Sequence, residues 1–79
     1  MSETYTEKQG QYLAYIYHYT KIHRQPPAEG EIQAYFRVTP PTVHQMILKL
    51  EEKGLIRRKP GMARSIEVLL PINVLPHLK

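Results

Sequence analysis

Seventy-nine residues make one small domain at most, and the 42% hydrophobic content suits a packed core rather than disorder. With no cysteine, disulfides, thiolate chemistry and Cys-type zinc sites are excluded. Of the net charge of +4, residues 1–36 contribute −1, from Lys8, Lys21 and Arg24 against Glu3, Glu7, Glu29 and Glu31, and residues 37–79 contribute +5, which makes the second half the one suited to a polyanion.

Met1-Ser2-Glu3-Thr4 has neither a basic nor an apolar leader region, and no apolar run is long enough to span a bilayer. A cytoplasmic chain without a membrane anchor is expected.

The first predicted helix runs from Thr6 to His23. Thr6 and Gln9 have capping-box spacing. Tyr12, Ile16, Tyr19 and His23 recur at helical period, with Leu13 and Thr20 beside them, giving a tyrosine-rich inner face. Arg24-Gln25-Pro26-Pro27 ends it, because a residue before proline avoids the helical region. A short second helix follows, Glu29 to Phe36, with Ile32, Tyr35 and Phe36 apolar. Ala28 is a poor cap and Gly30 weakens the helix, so it depends on packing.

Thr39 is the expected N-cap of the third helix, and Pro40 suits its first position. Val43, Ile47 and Leu50 form its inner stripe, and Gly54 stops it. Leu55 to Arg58 and Ser65 to Leu69 read as two strands flanking a Pro60-Gly61 turn. Together these elements predict a mainly α fold with a small β-hairpin: three helices plus a basic wing over residues 1–69, then an apolar tail over 70–79.

The stretch Ile32 to Leu50 has the spacing of a helix-turn-helix. Ala34 is the small residue expected where the two helices cross, and Val38 the buried aliphatic of the turn. The outer face of the third helix is then free to enter a major groove. Thr42, Gln45 and Lys49 point outward, with His44 on the flank and Leu48 tilted outward. Gln pairs bidentately with adenine and Thr meets the thymine methyl. Lys49, Arg57, Arg58, Lys59 and Arg64 are the cations placed to grip phosphates.

The residues Thr42-Val43-His44, Leu50-Glu51-Glu52-Lys53-Gly54-Leu55-Ile56-Arg57-Arg58, Pro60, Arg64 and Ile66-Glu67-Val68-Leu69 resemble the N-terminal DNA-binding domain of LexA-type repressors. Thr6, Gln9, Leu13, Ile16, Pro26-Pro27 and Glu31-Ile32 fit the same pattern, so the resemblance covers Tyr5 to Leu69. It implies a winged helix-turn-helix and operator binding. It puts Thr39, Thr42, His44 and Gln45 near bases, and Arg57, Arg58 and Arg64 near phosphates. The chain departs from the pattern at Ala28, where Ser or Thr is expected, at Arg37, where Gly is usual, and at Pro41, which replaces a polar residue. The 79 residues show no counterpart of the family's self-cleaving C-terminal domain, so no peptidase activity is expected of them.

His18 and His23 are five apart and lie on different helix faces, unlike a metal-ligand pair. Ser2 and Ser65 have no nucleophile context. No metal, cofactor or catalytic site is expected. Double-stranded DNA is the expected partner, the alternative being a winged-helix protein-docking module that does not bind DNA. For the tail, two readings stay open: folding over its own core, or forming a homodimer interface with the first helix.

Overall fold

The computed structural model describes residues 5–79. Met1–Thr4, where the expectation of no leader falls, lie outside the described residues. The elements in chain order are α1 (Glu7–His23), α2 (Glu29–Phe36), α3 (Pro40–Glu52), β1 (Ile56–Arg57), β2 (Glu67–Val68) and a 3-10 turn at Ile72–Val74. They form a winged helix-turn-helix.

The capping box starts α1: the Thr6 hydroxyl accepts from the Gln9 amide at 3.1 Å, and Gln9 Oε1 accepts from the Thr6 amide at 2.9 Å. Gln9 is itself buried, and its Oε1 also takes a bond from Lys53 Nζ at 2.9 Å, tying the start of α1 to the end of α3. Tyr12, Leu13 and Ile16 are fully buried, but Tyr19 is only half-buried and His23 exposed. The expected stripe thus meets the core only over its first half. Gly10 has a packing reason: a Cβ there would stand 2.7 Å from Tyr5 Cε1 and 3.0 Å from Pro76 Cγ. Its missing side chain lets the tail cross α1 closely.

Helix α2 starts with half a capping box. Ala28 has no acceptor, yet Glu31 Oε1 accepts from the Ala28 amide at 2.7 Å. Ile32 is buried, and the Phe36 ring stacks on Tyr12 with centroids 4.2 Å apart. The expected role of Ala34 is corrected here: Ala34 is exposed. Ile32 and Phe36 point inward, and a residue midway between them is turned about 200° from each at about 100° per residue. Gln33, half-buried, lies closer to the core than Ala34.

The turn between α2 and α3 is left-handed at Arg37, with φ of 57°. Its amide donates to Gln33 O at 2.8 Å, closing α2. This conformation costs an L-residue about 1–2 kcal/mol. Among the described residues the exposed Arg37 guanidinium has no ion-pair partner to offset that cost. Glycine's entropic penalty is smaller, about 0.5–1 kcal/mol. Arg37→Gly is therefore expected to stabilise the domain by about 0.5–1 kcal/mol, seen as a rise in thermal midpoint of about 2–8 °C. A midpoint at or below that of the parent chain would show that the arginine makes up its strain elsewhere.

Helix α3 begins differently from expectation. Thr39 occupies the N-cap, but its side chain makes no capping bond. Pro40 and Pro41 have no amide to offer, and the Thr42 amide goes to Thr39 O at 3.0 Å. The Thr39 hydroxyl instead bonds the Thr42 hydroxyl at 2.9 Å. Val43, Ile47 and Leu50 are fully buried, as the stripe requires. Gly54, at φ of 77°, and Leu55 close the helix: their amides donate to Glu51 O and Leu50 O, both at 3.0 Å.

The hairpin is antiparallel, with Ile56 opposite Val68 and Arg57 opposite Glu67. Each strand has two residues, shorter than the alternation suggests. Beyond Arg57 a side chain replaces the ladder: Ser65 Oγ accepts from the Lys59 amide at 3.0 Å and donates to Met62 O at 2.9 Å. Leu55, Ile56 and Ile66 are buried in the core, and β2 lies against α1.

Residues after Leu69 lie across α1. The Gln11 amide group donates to His77 O and accepts from the Lys79 amide, both at 2.9 Å. Tyr5 OH donates to Val74 O, Tyr35 OH to Lys79 O at 2.8 Å, and Lys79 Nζ pairs with Glu7 at 2.7 Å. Leu70 and Leu75 pack against the core.

Candidate nucleic-acid interface

Burial of Val43, Ile47 and Leu50 turns the other face of α3 outward. Thr39, Thr42, His44, Gln45 and Lys49 are all exposed. Thr42, Gln45 and Lys49 share a shallow groove with Met46 and with Gln9 of α1. His44 stands apart from that groove, on the side of α3 that meets α2. Its Nδ1 lies 3.4 Å from Glu29 Oε1 at the start of α2. Leu48 is 41% exposed, so its outward tilt is as expected.

The wing cations are less free than their clustering suggests. Arg57 Nε contacts Glu67 at 2.7 Å across the hairpin, with its side chain 70% exposed. Such an exposed pair holds weakly, about 0–1 kcal/mol, so a phosphate competes readily for this guanidinium. Arg58 Nε reaches Glu51 of α3 at 3.1 Å, and its side chain is only 20% exposed. Among the described residues neither Lys49 nor Lys59 has an ion-pair partner.

Arg64 turns back into the body of the domain. Its Nη1 and Nη2 meet the two oxygens of Glu31 at 2.8 and 2.6 Å, and Nη1 also reaches Tyr19 OH at 3.2 Å. Held by this fork and by the Ala28 amide, the Glu31 carboxyl is pushed down to about 2. Glu31 and Tyr19 in turn raise the Arg64 pKa above its ordinary value. One carboxylate thus joins the start of α2 to the far arm of the wing.

Sequence reasoning misses Glu29, Glu31, Glu51 and Glu67 as partners of these side chains. Glu31 has a local signal, since it stands three residues after the N-cap position. Glu29 and Glu51 have none, because His44 and Arg58 come from other elements.

Among the described residues no helix is long and apolar enough to cross a membrane. The chain matches the LexA DNA binding domain family over residues 2–65. It is 41% identical over 68 residues to the LexA repressor of Moorella thermoacetica, an overlap covering 85% of this chain and 33% of that protein. The chain therefore spans about a third of the length of the curated relative it matches. With most of its length inside the family's limits, and with three helices and a two-stranded wing in that order, this chain belongs to the LexA DNA-binding domain family.

Proposed function

We propose that the chain binds double-stranded DNA sequence-specifically and represses transcription, with α3 in the major groove and the wing on the backbone. The observation that carries this is the exposed polar face of α3, directly opposite the fully buried Val43, Ile47 and Leu50. Thr39, Thr42, His44 and Gln45 are the proposed base readers. Lys49, Arg57, Arg58, Lys59 and Arg64 are the proposed backbone cations. Most of the direct phosphate contact falls to Lys49, Arg57 and Lys59. Arg58 and Arg64, engaged by Glu51 and Glu31, chiefly fix where the wing stands.

Selection from a random duplex library, followed by a salt titration on the selected site, tests the reading. A chain with no appreciable duplex affinity at moderate salt overturns it. Arg57→Ala combined with Lys59→Ala is expected to weaken binding to every duplex alike. It should also flatten the plot of log affinity against log salt by about 1–2 units, since each phosphate no longer neutralised removes about one. An unchanged slope takes the wing off the backbone.

We further propose residues 1–69 as the DNA-binding unit, with a second copy of the chain meeting the tail and α1. The supporting observation is that Leu69, Ile72 and Val74 remain 46%, 46% and 44% exposed while Leu70 and Leu75 pack inward. A dimer would favour half-sites spaced by whole helical turns. Sedimentation equilibrium is expected to show concentration-dependent dimerisation, abolished when residues 70–79 are removed. A concentration-independent monomer for the intact chain ends this proposal.

A further inference from the structure

We propose that Glu29 is a positioning residue that sets which base His44 accepts, by fixing which imidazole nitrogen carries the proton. The inference rests on the reading of α3 as the base-contacting helix.

Glu29 opens α2 and His44 lies in the first half of α3, so the packing of the two helices brings them together. The carboxylate Oε1 stands 3.4 Å from His44 Nδ1. Among the described residues Glu29 pairs with no lysine or arginine. It lines a cleft beneath the wing with Arg58 and Arg64, yet those two pair with Glu51 and Glu31 and neither forms an ion pair with it. That leaves the imidazole as its neighbour. The two side chains are 52% and 38% exposed, so the pair adds little to folding stability. Its consequence lies in hydrogen-bond character.

A neutral imidazole has one N–H and one lone pair. A carboxylate beside Nδ1 favours the proton there, which leaves Nε2 as an acceptor. An acceptor in the major groove suits the exocyclic amines of adenine and cytosine. Without the carboxylate, a proton on Nε2 makes the same edge a donor, suited to guanine O6 and N7, thymine O4 or adenine N7, and not to cytosine. Glu29 therefore selects between an amine edge and an acceptor edge, which separates cytosine from guanine and thymine, without touching DNA.

Two arms test this on the intact chain. The first is long-range proton–nitrogen NMR of the His44 ring in the free protein, in mildly alkaline buffer. The parent chain is expected to carry the proton on Nδ1, and Glu29→Ala to move it to Nε2. Glu29→Gln, which keeps an acceptor oxygen, should retain the Nδ1 form in part. The second arm repeats the duplex selection with Glu29→Ala. Preference at one base pair per half-site should open to guanine or thymine and lose cytosine, with affinity for a parent site bearing cytosine there falling about 2- to 10-fold. Removing a negative charge also strengthens binding to DNA in general, but that part is uniform across sequences and is read on random duplex. In a His44→Ala background the Glu29 effect on base preference should vanish. An unchanged tautomer, or an unchanged preference in a chain that does select duplexes, overturns the inference. A parent chain that selects no duplex overturns the reading beneath it, and the tautomer arm keeps the two failures distinct.

Discussion

Gln45→Ala is expected to lose about 1–3 kcal/mol of binding on the preferred duplex, roughly 5- to 150-fold in affinity, and almost nothing on random DNA. The reason is geometric. Gln45 lies two residues from Val43 and two from Ile47, both fully buried. At about 100° per residue it is turned about 200° from each, so it points straight away from the core. No described ion pair or hydrogen bond holds its amide in the free protein, and its neighbours Thr42 and Lys49 border the same groove. A side-chain amide placed there offers a donor and an acceptor together, which matches the N6 and N7 edge of adenine. Titration by fluorescence anisotropy at one fixed salt concentration, on the selected site and on a scrambled one, checks it. Equal losses on both would make Gln45 a backbone contact instead. Thermal stability should stay unchanged, because the residue is exposed and caps nothing.

What the sequence makes legible is what local chemistry decides. The Thr6–Gln9 capping box, the inner stripe of α3 and the Gly54 stop each depend on residues within a few positions, and all three form as expected. Size alone suggests a helix crossing at Ala34, while the period set by Ile32 and Phe36 turns it to solvent. Thr39 has the chemistry of a side-chain cap, but the two prolines after it have no amide to donate and the Thr42 amide goes to the Thr39 carbonyl instead. The wing's basic clustering is visible in the sequence, but the carboxylates that answer it are not. Glu31, Glu51 and Glu67 sit on α2, α3 and β2, and only the folded chain brings them to Arg64, Arg58 and Arg57. The tail shows its apolar content but not its destination. That destination depends on Gly10, on the Gln11 amide and on two tyrosine hydroxyls, features that carry no signal until α1 and the tail lie side by side.

Replacing Glu31 should cause the largest loss of folding stability of any substitution outside the core. This one carboxylate accepts three hydrogen bonds, from two residues on different elements. It bonds the Ala28 amide at 2.7 Å, where Ala28 itself cannot cap α2, and its two oxygens take Arg64 Nη1 and Nη2 at 2.8 and 2.6 Å. Glu31→Ala therefore uncaps a short helix and frees the wing arm in one step. Among the described residues it also leaves the Arg64 guanidinium with only Tyr19 OH and Pro26 O. The expected result is a thermal midpoint lower by several degrees at neutral pH, with Glu31→Gln intermediate because it keeps an acceptor but not the charge. The pH dependence follows from the carboxyl being held at about 2 in the folded chain against an ordinary 4.5. Its folded pKa is depressed, so the stabilisation is fully present above about 4.5 and is lost as pH falls from there towards 2. Melting curves of the parent and of Glu31→Gln should thus separate at neutral pH and converge in strong acid. Curves that coincide at neutral pH would show the fork adds nothing to folding. A gap that persists undiminished at about pH 2 would show that its contribution does not depend on the carboxylate charge. Loosening the wing also has a consequence for DNA. Glu31→Gln should weaken duplex binding without altering base preference, because what moves is the wing's footing on the backbone and not the face of α3.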